Sequence, residues 1–101
     1  MKINVTVLTG PGKKEELSFS EFPVSIGRHP DNDLVIKEDA NTSRIHCTIF
    51  IDDDALYIAD LKSTNGTVVN GKEIAESVLL SDKDKILVGK TFLQIDISDK
   101  N

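Results

Sequence analysis

Ile45-His46-Cys47-Thr48-Ile49-Phe50-Ile51-Asp52-Asp53-Asp54-Ala55-Leu56-Tyr57-Ile58 is the stretch that decides the fold class. Ile45, Cys47, Ile49 and Ile51 fall at every second position, the spacing that puts side chains on one face of a strand. The three Asp form a polar turn, and Leu56 with Ile58 resumes the alternation on a returning strand, so the segment reads as a hairpin. C-terminal to it, Asn70-Gly71 separates Thr67-Val68-Val69 from Lys72-Glu73-Ile74, the strongest short-range signal for a tight hairpin. Ser77 to Leu80 reads as a further short strand. Ile86 with Val88, and Leu93 with Ile95 and Ile97, give two more around Gly89-Lys90.

N-terminal to the central hairpin, Ile3, Val5 and Val7 alternate until Thr9-Gly10-Pro11-Gly12 breaks the run. Leu17 with Phe19, Val24 with Ile26, and Leu34 with Ile36 after His29-Pro30-Asp31-Asn32 give three more short strands. About eleven strands result, and no window of ten residues carries a helical apolar stripe. The fold class expected is all-β, a β-sandwich of two sheets with its binding loops gathered at one end.

A chain of 101 residues makes one domain, expected over residues 1–97, with 98–101 as a frayed tail. Seventeen acidic residues against twelve basic ones give a net charge of −5, which disfavours adsorption to nucleic acid or anionic membrane. Any anion site must therefore be local. Cys47 is the only cysteine, which excludes an internal disulfide and suits a small buried filler in a reducing compartment. The amino terminus alternates rather than running apolar, so neither a signal peptide nor a span is read there, and a cytoplasmic location is expected.

Ten of the twelve basic residues are Lys, and the only two Arg, Arg28 and Arg44, both lie in candidate loops. Arg presents a planar fork of donors matched to phosphate, where Lys presents a point charge. The loops also carry Ser43 and the segment Ser63-Thr64-Asn65-Gly66. Hydroxyl, amide and guanidinium groups of this kind can converge on an anion.

No nucleophile with a base can be assembled, so no enzyme activity is expected. Two histidines and one cysteine make no convincing zinc site, and Asp52-Asp53-Asp54 lacks the spaced ligands of a calcium loop. No metal or cofactor is assigned. Asp33 and Asp60 read as loop braces, and Gly66 and Gly71, each after an Asn, as turn residues at positive φ.

Gly27-Arg28, Asn32 to Ile36, Ser43-Arg44-Ile45-His46, Asp60-Leu61, Ser63 to Thr67, Asn70-Gly71, and Asp84-Lys85-Ile86 with Gly89 follow one another in a fixed order and spacing. The series resembles a forkhead-associated (FHA) domain, the phosphothreonine-binding β-sandwich, over nearly the whole chain. The resemblance implies that Arg28 is the main phosphate-binding guanidinium, that Ser43 and Thr64 contribute hydroxyls, and that Arg44 faces the phosphate. It further implies that Asn65 pairs with the peptide main chain and that His46 braces the loop before it.

Gly27, Gly66, Asn70 and Gly71 join His46 as expected structural residues. The sequence departs from the family at Thr42, where an aliphatic residue is common, at Ile45, where a basic one is frequent, and at Lys62 and Lys83, where Gly is often found. The function implied is recognition of a phosphothreonine-containing partner in kinase signalling, by a monomer that binds neither nucleic acid nor membrane. The alternative is an interaction module indifferent to phosphate.

Overall fold

The computed structural model describes residues 1–98, in which eleven strands form two sheets. In chain order they are β1 (Lys2–Val7), β2 (Glu16–Phe19), β3 (Val24–Gly27), β4 (Leu34–Val35), β5 (Cys47–Asp52), β6 (Ala55–Asp60), β7 (Thr67–Val69), β8 (Lys72–Glu73), β9 (Ser77–Leu79), β10 (Lys85–Val88) and β11 (Thr91–Ser98). One sheet runs β2-β1-β11-β10-β7-β8 and the other β4-β3-β5-β6-β9. The chain therefore changes sheets between β2 and β3, between β6 and β7, and on either side of β9.

The alternation read from the sequence supplies the core. Ile3, Val5, Val24, Ile26, Cys47, Ile49, Ile58, Ile86, Val88, Leu93 and Ile95 are fully buried between the sheets. Apolar side chains at every second position reach the interior while their neighbours face water, which is the condition for two half-buried sheets to stack. Cys47 is part of this core, and burial pushes its thiol up to about 12, so it remains an inert filler.

The alternation fails at one place. Ile45, expected to face inward, is 61% exposed, and β5 begins only at Cys47. His46 is buried in its stead, with its N–H donating to Ile26 O at 3.0 Å and its carbonyl accepting from Leu61 N at 2.9 Å. Backbone pairing at His46 thus fixes which side chain turns inward. At the other end of the strand Ile51 is 39% exposed, beside the acidic turn.

Asn70-Gly71 forms the two-residue turn expected, with Val69 opposite Lys72 and φ of 50° and 83° at the central residues, the signature of type I′. Asn70 also reaches beyond its turn: its Nδ2 donates to Asp84 Oδ1 (2.8 Å) and its Oδ1 accepts from Lys85 N (2.9 Å). The hairpin is thereby fastened to the start of β10. Ser98, expected in a frayed tail, is the last residue of β11 and lies opposite Lys2, while residues 99–101 lie outside the described part of the chain.

Candidate functional site

Three connections meet at one end of the sandwich: residues 28–33 after β3, 36–46 before β5, and 61–66 after β6. Gly27 sets the distance between the first two. A Cβ there would stand 2.2 Å from Arg44 O and 2.8 Å from Asn32 Nδ2, so no side chain fits. The close approach lets Arg28 N–H donate to Ser43 O (3.0 Å) and His29 N–H to Arg44 O (3.1 Å). Asn32 Nδ2 donates to both His29 O and Arg44 O, at 2.8 Å each, closing its own loop and tying it to the next.

Arg28 is exposed, and its Nε donates to Thr42 O at 3.1 Å, which aims the guanidinium while leaving its terminal nitrogens outside that bond. Thr42 is 1% exposed, with its hydroxyl donating to Val88 O at 3.2 Å. A hydroxyl is accommodated there because it meets a buried carbonyl, which accounts for Thr where an aliphatic residue was expected.

His46 joins the second loop to the third. Its Nδ1 accepts from Ser43 N–H (2.9 Å) and its Nε2 lies 2.8 Å from Gly66 O. A carbonyl only accepts, so the proton sits on Nε2 and the tautomer follows from the partners. Ser43 Oγ in turn accepts from Thr64 N–H (2.9 Å), which leaves the hydroxyl proton pointing elsewhere. Asn65 Nδ2 donates to Asn41 O at 2.8 Å, a second link between the same loops.

Beneath the third loop lies Asp60. Its Oδ1 accepts from Ser63 Oγ (2.5 Å) and Thr67 Oγ1 (2.8 Å), and its Oδ2 from Ser63 N–H (3.1 Å). Burial opposes its charge, but these donors outweigh burial and hold the carboxyl below the usual value. Ser63 Oγ then accepts from Gly66 N–H (2.9 Å), closing the turn at Gly66, where φ is 83°. Lys62 completes it at a φ of 58°, and Lys83 adopts 71°. Both lysines thus occupy left-handed positions, which explains the preference for Gly that the sequence departs from.

Asp39 plays the same part for the second loop, and nothing in the sequence reading singled it out. It is 7% exposed; its Oδ2 accepts from Thr91 Oγ1 (2.7 Å) and Lys90 N–H (2.8 Å), and its Oδ1 from Asn41 N–H (3.0 Å). Burial again works against the charge, and again the donors keep the carboxyl below its ordinary value. Two of these partners, Lys90 and Thr91, stand about fifty residues along the chain, so no local pattern could have revealed them.

Arg28, Ser43, Arg44, Thr64 and Asn65 therefore lie on three loops that are hydrogen-bonded to one another, with Ser43 half-buried and the other four exposed. Among the described residues no carboxylate lies within 4.0 Å of either guanidinium, although the chain has an excess of acidic groups. Asn32 was read only as a member of a motif. Asn41 carried no signal at all.

Comparison with known proteins shows the family of the chain. The family model described as FHA domain matches residues 24–89. The glycogen accumulation regulator GarA of Mycobacterium tuberculosis is 31% identical over 86 residues, which is 85% of this chain and 52% of that protein. An oxoglutarate dehydrogenase inhibitor of Corynebacterium jeikeium is 34% identical over 86 residues, 85% of this chain and 58% of its own. The chain thus spans little more than half the length of these curated relatives. Among solved structures, the N-terminal FHA domain of S. cerevisiae Rad53p, in complex with a phosphothreonine peptide, superposes with a TM-score of 0.87. It shows 26% identity and covers 98% of this chain and 95% of that one. The loops, the sandwich that carries them and the family match lead to one conclusion: this chain belongs to the FHA domain family.

Proposed function

We propose that this domain binds a phosphothreonine-containing segment of a partner protein and so brings a kinase-modified partner to whatever it serves. One observation carries the reading. Arg28 and Arg44 are exposed, among the described residues no carboxylate lies within 4.0 Å of either guanidinium, and Ser43, whose backbone carbonyl accepts from Arg28 N–H, accepts from Thr64 N–H at its hydroxyl and keeps its own proton for donation. A phosphate dianion would take charge-assisted bonds from Arg28 and Arg44 and neutral ones from Ser43 and Thr64. Asn65 would serve the peptide backbone, because its amide offers both a donor and an acceptor.

The role of His46, Asp60 and Asp39 in this reading is positional. Each holds a loop at a fixed place before the ligand arrives, which reduces the ordering cost of binding. The domain acts by binding alone, as a monomer in the cytoplasm, and binds neither nucleic acid nor membrane. Titrating one peptide in phosphorylated and unphosphorylated forms tests the proposal. Binding only of the phosphorylated form is expected, and equal binding of both would favour a module indifferent to phosphate.

A further inference from the structure

The outer face of the sheet β4-β3-β5-β6-β9 carries an apolar row far from the three loops. Cys47, Ile49, Leu56 and Ile58 are buried in the core, so the alternate residues Thr48, Phe50, Tyr57 and Ala59 point away from it. Phe50 lies opposite Tyr57, and Tyr57 opposite Leu79, which sets the row across β5, β6 and β9. The two rings stack, with centroids 5.7 Å apart and planes inclined by 19°. Leu79, on the edge strand, is 56% exposed. The next row toward the loops, Ser25, Thr48, Ala59 and Ser77, is uncharged, with the Asp33 carboxylate bonded to Ser25 at its end.

Charge is distributed unevenly around these rows. None of the five strands contains a Lys or Arg, whereas strands of the other sheet carry Lys2, Lys72 and Lys85. At the end of the sheet away from Arg28 and Arg44, Asp52, Asp53 and Asp54 are exposed, as is Glu21 in the connection that enters β3. Lys83, in the connection from β9 to β10, is paired with Asp96 at 2.8 Å. Leu79 also borders an open groove of about 470 Å³ whose charged residues, Lys72, Glu73 and Asp84, leave it with one net negative charge. An apolar row with an acidic rim and no cation on its own strands complements a cationic partner. A second copy of this chain would bring a second acidic rim with no strand cation to answer the first, and nucleic acid or an anionic membrane would be repelled.

We propose that this face is a second docking surface, independent of phosphate, for a segment of a partner protein that carries Lys or Arg around one or two apolar side chains. The apolar side chains cover Leu79 and Tyr57, while the cations meet the Asp52 to Asp54 rim and the aromatic rings. No residue of the face belongs to the phosphate cluster, so the two surfaces are separable by mutation.

The test is selection of an unphosphorylated dodecapeptide display library on the wild-type domain, followed by titration of the synthetic consensus peptide with amide shifts as the readout. The consensus should combine Lys or Arg with Leu, Ile, Phe or Trp, and shifts should move in β5, β6 and β9 rather than around Arg28. Leu79→Ser should weaken that peptide by about five- to tenfold, and the combined variant Asp52→Asn, Asp53→Asn, Asp54→Asn should weaken it and flatten its salt dependence. Asn suits positions 53 and 54, where φ is 51° and 63°. Binding of a phosphothreonine peptide should be the same in Leu79→Ser as in wild type. Recovery of no binder, a consensus without cations, shifts confined to the Arg28 end, or a dimer in sedimentation that Leu79→Ser dissolves overturns the proposal and leaves the phosphate reading standing.

Discussion

Replacing His46 probes the joint on which the site's geometry depends. The imidazole is fully buried and satisfies Ser43 N–H at 2.9 Å and Gly66 C=O at 2.8 Å. His46→Ala orphans both groups and opens a cavity. An unpaired buried polar group costs ~1–3 kcal/mol, and water admitted to the cavity recovers part of that, so a net loss of ~2–4 kcal/mol is expected. His46→Phe keeps the volume but excludes the water, and should cost about as much. His46→Asn can still accept from Ser43 N–H three residues back, leaving only the Gly66 carbonyl unpaired, for ~1–2 kcal/mol. Urea denaturation of the three variants gives the order directly. Phosphopeptide titration under native conditions should show weakened binding, since Ser43 and Thr64 lose their common brace. An unfolding free energy for His46→Phe within ~0.5 kcal/mol of wild type, the range of an inconsequential surface change, would refute the assignment of His46 as a joint.

Gly71→Val should destabilise the domain by ~1–3 kcal/mol through backbone strain alone, because φ is 83° and an added Cβ would meet nothing within 4 Å. Thermal melting checks this, and an unchanged midpoint would mean that the turn does not require positive φ. Lys62→Gly should work in the opposite direction, relieving a left-handed lysine at φ 58° and stabilising by ~0.5–1 kcal/mol. Lys62 is the cleaner test of the pair, since Lys83 also forms an ion pair with Asp96 at 2.8 Å that glycine would remove. Chemical denaturation of Lys62→Gly showing a loss of stability would sink the strain argument.

Much of the fold was legible because it is written locally. Period-2 alternation located the strands, and Asn70-Gly71 fixed one hairpin down to its turn type. What escaped depends on contacts between distant segments. Ile45 continues the alternation of Cys47 and Ile49, yet backbone pairing at His46 turns it outward. The parallel pairing of β3 with β4 follows from the way residues 28–33 fold over Gly27, which apolar spacing does not encode. Asp39 and Asn41 acquire their roles only when the 89–91 turn and the Asn65 loop come to meet them. The site residues themselves were readable as types, since only Arg28 and Arg44 break the run of lysines. Their brace was not, apart from His46 and the acidic residues Asp33 and Asp60. Asp33 does close on β3, its Oδ2 accepting from Ser25 N–H and Oγ–H.

The central claim, that this end of the sandwich binds phosphate through Arg28, is tested most directly by isothermal titration of one phosphothreonine peptide into the wild-type domain and into Arg28→Ala. Arg28 is exposed and, among the described residues, the one bond its side chain makes runs from Nε to Thr42 O, so the variant should fold, as circular dichroism will show. Binding should weaken by ~2–5 kcal/mol, the cost of removing one member of a desolvated charge pair, which amounts to roughly thirtyfold to several-thousandfold. A folded Arg28→Ala domain that binds the phosphopeptide as tightly as wild type would contradict the account.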